Sequence, residues 1–314
     1  MMVSCVIPCF GSENSIRLVV ENLKTVFKER NHEDYEVILV NDCSPDNVLG
    51  VIRELCKDDN RVKALDLSRN FGQPNAVKAG VQHTCGDIIV FFDDDGQTSP
   101  NELWKLVDAL DNKYDVVFGK YETKHHALWR VLGSRLNDRV SEILIGKPKE
   151  LSVTSYYACK RFVADELCRY DGAYPYIFGL FLRATCRIGN VPVVHKERIT
   201  GRSGYTMKKL IALWLNGFTT FSVKPLRIAT FIGLGTAMLG FVYGVYVVLQ
   251  RFLIGTTITM GWSSIMAALL FIGGVIMIIL GIIGEYVGRI YMKVNNSPQY
   301  VIRERIGFGD NFDT

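Results

Sequence analysis

The sequence predicts an α/β protein: a doubly wound, mostly parallel sheet over the first two-thirds, then an amphipathic helix and apolar helices. Three observations predict it. Short runs rich in β-branched and aromatic residues alternate with helical periodicity from Val3 to Phe118, at the spacing of βα units. One run, Ile88-Ile89-Val90-Phe91-Phe92, stops abruptly at Asp93-Asp94-Asp95-Gly96-Gln97. Two long uncharged stretches lie beyond Arg227.

Val3 to Pro8 reads as the first strand, and Cys9 to Ser12 as a turn. Ile16, Val19, Val20, Leu23 and Phe27 then recur at helical spacing. Tyr35 to Val40 is a second strand, ending in Asn41-Asp42-Cys43-Ser44-Pro45-Asp46, a loop with a helix cap. A helix over 48–56, a strand over 62–67, the loop Arg69-Asn70-Phe71-Gly72-Gln73 and a helix over 75–82 follow. The apolar run before the acids has the composition of a strand buried on both faces. A helix over 102–110 and a strand over 116–118 complete the alternation. Glu13, Asp42, Arg69 and the Asp93–Asp95 cluster all follow strands, so they gather at one sheet edge, where open α/β sheets bind ligands. Three adjacent acids repel one another, and carboxylates beside a Gln carbonyl suit Mg²⁺ or Mn²⁺, which also hold substrate phosphates. The edge therefore reads as a nucleotide site with a metal.

Composition narrows the classes. A formal charge of +4 over 314 residues is too mild for a nucleic-acid binder. The eight cysteines lie between Cys5 and Cys186 with no CxxC pair, giving neither a zinc signature nor a disulfide framework; a reducing compartment fits. No basic region precedes the first apolar residues, so no signal peptide is expected. A glycine fingerprint after the first strand and a Gly-Lys-Ser/Thr are both missing, which argues against a dinucleotide oxidoreductase and a P-loop NTPase.

Between His125 and Ile145 the pattern is helical, with Arg135 and Arg139 in the same sector as Leu128, Leu132, Leu136 and Ile143 and Arg130 on another side. Arg among Leu fits a helix that meets buried phosphate, a membrane surface beside which Arg snorkels, or stems that cover a core edge. An edge strand over 151–158, helices over 161–170 and 175–188 and a strand over 191–194 follow. A basic, glycine-containing loop from His195 to Tyr205 closes the domain. His195 has no metal-ligand partner at useful spacing. Met207 to Val223 is amphipathic, as in a helix lying in a membrane interface. Ile228 to Leu249 and Phe252 to Gly284 are uncharged for about one span and for a loop plus a span. Lys224, Arg227, Arg289 and Lys293 flank them, so positive-inside places both termini in the cytoplasm. Gly273, Gly274, Gly281 and Gly284 are read as contact points between helices. The expected organisation is a cytosolic domain over 1–206, an interfacial helix over 207–224, a two-helix transmembrane hairpin over 225–290 and a cytosolic tail over 291–314.

Four stretches carry a resemblance: Val6 to Asn14, Val40 to Asp46, Arg69 to Gln73 and Asp93 to Gln97. They resemble family 2 glycosyltransferases of GT-A fold. Gly201-Arg202-Ser203-Gly204-Tyr205, the apolar stretches and Gly284-Glu285-Tyr286-Val287-Gly288-Arg289 resemble the polyprenyl-phosphate glycosyltransferases among them. These include bacterial undecaprenyl-phosphate glucosyl and aminoarabinosyl transferases and, more distantly, dolichol-phosphate mannose synthase. The resemblance implies an inverting, metal-dependent transfer from a nucleotide sugar, UDP-linked, to a polyprenyl phosphate at a bacterial or archaeal plasma membrane; the apolar stretches make the expected protein multi-pass, and their glycines permit a homo-oligomer. It implies that Pro8, Glu13, Asp42, Asp93 and Asp94 hold the nucleotide, and that Asp93, Asp95 and Gln97 hold Mg²⁺ or Mn²⁺. It implies catalytic roles for Asp95, Arg130 and Ser134. Arg130, Arg135, Arg139, Arg198 and Arg202 would meet the acceptor phosphate. Gly11 stands where the family usually has Asn, Gly96 where it has Leu, and 151–156 lacks the Asp-Pro-x-Ser-Gly-Phe of mannose synthases. Two other readings stay open. A glycolipid hydroxyl acceptor would need a base from Glu142, Glu150 or Asp171. A non-catalytic membrane scaffold would keep the sugar-nucleotide fold alone.

Overall fold

β1 (Val3–Cys9) is buried at every position, as a strand covered on both faces must be. It runs parallel to β2 (Tyr35–Asn41) on one side and to β4 (Ile88–Phe91) on the other, and β2 runs parallel to β3 (Val62–Leu67). α1 (Ile16–Glu29), α2 (Val48–Asp58) and α3 (Gln73–Gln82) make the crossovers. α1 buries Ile16, Val19, Val20, Leu23, Val26 and Phe27, the stripe its periodicity predicts. α3 lies close enough to β1 that a Cβ on Gly80 would come within 2.5 Å of Val6 Cγ1, so the approach requires glycine.

The computed structural model describes residues 1–121, 142, 146–172, 175–194, 224–254, 261–295 and 298–309. It forms two units, Met1–Gly217 with Ser297–Thr314, and Phe218–Asn296. The first holds one eight-stranded sheet of order β7-β5-β6-β4-β1-β2-β3-β8. Its later strands are β5 (Val116–Tyr121), β6 (Tyr157–Lys160), β7 (Ile188–Val193) and β8 (Ile302–Ile306). α4 (Leu103–Asn112), α5 (Arg161–Arg169) and α6 (Ile177–Ala184) complete the unit.

The sheet is mixed rather than mostly parallel. β6 pairs antiparallel with both β4 and β5, and β8 antiparallel with β3. The edge strand expected over 151–158 is instead the interior strand β6, with Tyr157, Ala158 and Cys159 buried. The polar residues before it, Ser152, Thr154 and Ser155, are loop. Residues 302–306, expected in a free tail, add an edge strand whose Arg303, Glu304 and Arg305 are exposed, the charged edge that discourages further strand pairing. All eight cysteines are free, and burial pushes the thiols of Cys5, Cys9 and Cys159 up.

The second unit is α7 (Lys224–Ile254) and α8 (Trp262–Val294). Among the described residues one helical stretch, Phe271–Val294, is long and apolar enough to cross a membrane. The apolar stretch described in α7, Ala229–Tyr243, rises about 22 Å, short of a hydrocarbon core of about 30 Å. The two-span hairpin, and with it the multi-pass topology with both termini cytoplasmic, is therefore corrected to one candidate span. A Cβ built on Gly273, Gly274, Gly281 or Gly284 would meet nothing within 4 Å; among the described residues, one on Gly233 of α7 would come within 3.3 Å of Ile279 Cδ1. The expected GT-A domain with a mostly parallel sheet and two spans thus gives way to a mixed α/β domain and one candidate span. The predicted helix over 125–145 and the segment over 195–223 lie outside the described residues.

Candidate functional site

The parallel strands β1 to β4 deliver four loops to one sheet edge: Phe10–Ser12, Asp42–Asp46, Ser68–Gly72 and Phe92–Gln97. Side chains and main-chain amides tie these loops to each other. Gly11 N–H donates to Ser44 Oγ at 2.7 Å. Glu13 N–H donates to Asp46 Oδ2 at 2.9 Å, and Asn47 N–H donates back to Glu13 Oε2 at 3.1 Å. Burial raises the Asp46 carboxyl, but hydrogen bonds from the Ser44 hydroxyl and the Glu13 and Val48 amides outweigh it and hold Asp46 below its ordinary range.

Asp42 is buried at the end of β2, its carboxylate cradled by the N–H groups of Phe71 (2.7 Å) and Gly72 (2.9 Å) from the loop after β3. Burial nevertheless raises its carboxyl above the ordinary range, against the pull of those two donors. The Arg69 guanidinium in that loop lies over the Phe71 ring at 4.7 Å.

The three acids after β4 diverge. Asp93 accepts from Gln73 Nε2 at 3.1 Å and from the Ser155 hydroxyl. Asp94 turns to the first loop: its Oδ2 accepts from Phe10 N–H at 2.8 Å, and its carbonyl accepts from Ser15 Oγ at 2.6 Å. Burial pushes the Asp94 carboxyl up to about 6, opposed by the Phe10 amide and reinforced by the charges of Asp93 and Asp95. Asp95 Oδ1 accepts from Gln97 N–H at 3.0 Å. Gly11 and Gly96 both sit at positive φ (73° and 72°), where Asn is tolerated and Leu is strained. The Gly11 exchange therefore preserves a turn, whereas Gly96 makes one.

Beside Asp93 opens a cavity of about 380 Å³. Its walls are aromatic, chiefly Phe91, Phe118, Tyr157, Phe178 and Phe181, with Gln73, Asp93, Ser155 and Thr154 as polar lining and Pro8 also contributing.

The fold thus brings Pro8, Glu13, Asp42, Asp93, Asp94, Asp95 and Gln97 to one edge. Arg130, Ser134, Arg135, Arg139, Arg198 and Arg202 lie outside the described residues. Glu150 and Asp171, possible bases for a hydroxyl acceptor, are exposed. Among the described residues no group of three His, Cys, Asp or Glu is arranged to hold a metal. Sequence reasoning missed Ser155, which carries no motif, and Gln73, which stands inside a quoted motif without a role.

Residues 4–156 match glycosyl transferase family 2, and residues 224–290 match the GtrB C-terminal hairpin. The bactoprenol glucosyl transferase of Shigella phage SfX is 30% identical over 312 residues, 97% of this chain and 100% of that one. The undecaprenyl-phosphate 4-deoxy-4-formamido-L-arabinose transferase of Yersinia pestis is 31% identical over 310 residues, 97% of this chain and 94% of that one. Among solved structures, glucosyl-3-phosphoglycerate synthase from Mycobacterium tuberculosis, in complex with Mn²⁺, UDP and glucosyl-3-phosphoglycerate, superposes with a TM-score of 0.52 at 20% identity. It covers 70% of this chain and 78% of its own. That likeness is one of fold alone; it supports a mixed α/β domain, and the narrower GT-A assignment is not retained. With relatives of at least 30% identity over nearly its whole length, the chain belongs to glycosyltransferase family 2, among the relatives of bacterial undecaprenyl-phosphate sugar transferases.

Proposed function

We propose that this glycosyltransferase moves a sugar from a UDP-sugar to a polyprenyl phosphate, in a reaction that needs Mg²⁺ or Mn²⁺. The observation that carries the reading is the set of four interlocked strand-end loops. They present Asp42 on one side and the diverging Asp93 and Asp95 on the other, in a chain whose full-length relatives are named for this chemistry.

In this reading Asp42, between Pro8 and the Phe71–Gly72 amides, receives the nucleotide base and its surroundings, and Glu13 and Asp94 keep the walls of that pocket in register. Asp93, Asp95 and Gln97 hold the cation: two hard carboxylates and an amide oxygen suit an ion that completes its shell with waters and phosphate oxygens. Asp94 instead accepts from the Phe10 amide, which ties it to the first loop. The ion, when bound, neutralises charge on the departing nucleoside diphosphate. The aromatic cavity beside Asp93 is the space we assign to the transferred sugar. A phosphate monoester, with a second pKa of about 6, is largely ionised at neutral pH and attacks without a general base. It needs cations to offset repulsion between two phosphate-bearing substrates. We assign that task to Arg130, Arg135, Arg139, Arg198 and Arg202, and a supporting catalytic role to Ser134. The outward apolar side chains of α8 would meet a bilayer or a second copy of the chain.

The test is a product assay on the full chain in detergent. UDP-, GDP- and dTDP-sugars are supplied with Mn²⁺, with and without undecaprenyl phosphate, and the lipids are resolved by mass spectrometry. A metal-dependent glycosylated lipid monophosphate is expected. Nucleotide release without that lipid moves the acceptor to water or a hydroxyl, and no turnover with any donor overturns the assignment.

A further inference from the structure

The edge strand β8 is tied to the residues that support Asp42. Asp66 on β3 is 1% exposed, and its two carboxylate oxygens are taken separately. Oδ1 accepts from Asn41 Nδ2 at 2.7 Å, and Oδ2 accepts from Arg303 Nη1 on β8 at 3.2 Å. The other Arg303 nitrogen, Nη2, donates to the carbonyl of Ser68 at 2.8 Å, while Ser68 N–H donates to the carbonyl of Val301 at 2.9 Å. Both main-chain groups of Ser68 are thus engaged by the C-terminal segment.

These contacts converge on Asp42. Asn41 immediately precedes it, and Asn41 Oδ1 also accepts from Ser44 N–H at 3.1 Å on the far side of the same loop. Ser68 opens the loop whose Phe71 and Gly72 amides cradle the Asp42 carboxylate. A single guanidinium therefore bonds both Asp66, which holds Asn41 beside Asp42, and Ser68, which opens the loop that supplies the Asp42 donors. A planar fork does this with two parallel bonds; a lysine ammonium is a point donor on a flexible stem.

We propose that Arg303 is a positioning residue of the nucleotide pocket, setting Asp42 through Asp66–Asn41 and through Ser68. The inference rests on the reading of Asp42 as a nucleotide contact. It predicts a defect in donor affinity rather than in turnover, because nothing in the relay touches Asp93 or Asp95.

The experiment titrates the full-length protein with UDP in the presence of Mn²⁺ and measures KM and kcat for the accepted UDP-sugar. R303A should weaken UDP and raise KM by about tenfold, with kcat within about twofold. R303K should recover part of the loss. The control is E304A, which removes the β8 residue next to Arg303, breaks its exposed ion pair with Arg53 on α2 and should leave both constants unchanged. UDP affinity of R303A within about twofold of wild type, or a fall in kcat at constant KM, overturns the proposal. If R303A does not fold, D66N, which keeps the side-chain shape, is read by the same criteria. A wild-type protein that binds no UDP removes the Asp42 reading itself, and so separates that failure from failure of the relay.

Discussion

The two units of this chain place their apolar side chains in opposite ways. In the sheet domain Ile7, Leu39, Phe91 and Phe118 are almost fully buried, and polar side chains reach across long stretches of sequence to find partners. In the helical unit Phe231, Leu239, Met277 and Leu253 are each about three-quarters exposed, and the apolar Phe271–Val294 stretch is wholly uncovered. A contiguous apolar surface of that length marks a contact with something other than water. The comparison teaches that one chain is folded for two surroundings. The sheet domain carries the strand-end acids, and the helical unit carries the uncovered apolar surface.

The largest effect that could break this division is on catalysis. D95A should lower transfer by about a thousandfold or more, leave the melting temperature close to that of wild type, and leave association with membranes unchanged. Wild-type turnover in D95A would remove the metal role from this acid. A drop in membrane association would show that the units are not separable.

The next effect is on attachment. A lysine at the centre of a membrane helix costs about 3 kcal/mol, so L280K should shift partition into liposomes by on the order of a hundredfold. UDP binding in detergent should be unaffected. If L280K sediments with liposomes as wild type does, the exposed apolar face of α8 is a surface for another protein.

Much of the sheet domain was legible in the sequence, for a physical reason. Strands covered on both faces are apolar at most positions, so β1, β2 and β4 stand out as runs, and the abrupt end of β4 marks the acids. β6 was misplaced because its apolar part is only a few residues long and the polar residues before it line a cavity. β8 was invisible: Ile302-Arg303-Glu304-Arg305-Ile306 follows an apolar helix and reads as a charged tail, and its role depends on Asp66, 237 residues earlier. In the site, three consecutive aspartates look equivalent. What separates them is which partners arrive, the Phe10 amide at Asp94 and Ser155 at Asp93, from 84 and 62 residues away. The second span failed for a different reason. Freedom from charge extends over the whole stretch, whereas the apolar part described in α7 is too short to cross.

The smallest effect distinguishes two carboxylates within the sheet domain. Asp42, at the strand ends that form the site, has its pKa raised by burial. Asp115, just before β5 at the opposite edge, is also raised by burial, but hydrogen bonds from Thr185 and Lys160 outweigh this and hold it below its ordinary range. The linkage therefore has opposite signs. A raised folded pKa favours the neutral form, so the contribution of Asp42 is complete below the unfolded value of about 3.9 and is lost as pH rises through the folded value. A lowered one favours the charged form, so the contribution of Asp115 is present above about 3.9 and is lost as pH falls through the folded value. Melting temperatures compared from about pH 3 to pH 7 should therefore move in favour of D42N, relative to wild type, as pH rises, and against D115N, each by a few degrees. The two shifts test whether the site edge holds its carboxylate at a cost in stability that the structural edge does not bear. If D42N moved in the same direction as D115N, the Phe71 and Gly72 amides would outweigh burial. Asp42 would then be a stabilising anchor of the fold, and its exchange would cost stability as well as nucleotide affinity.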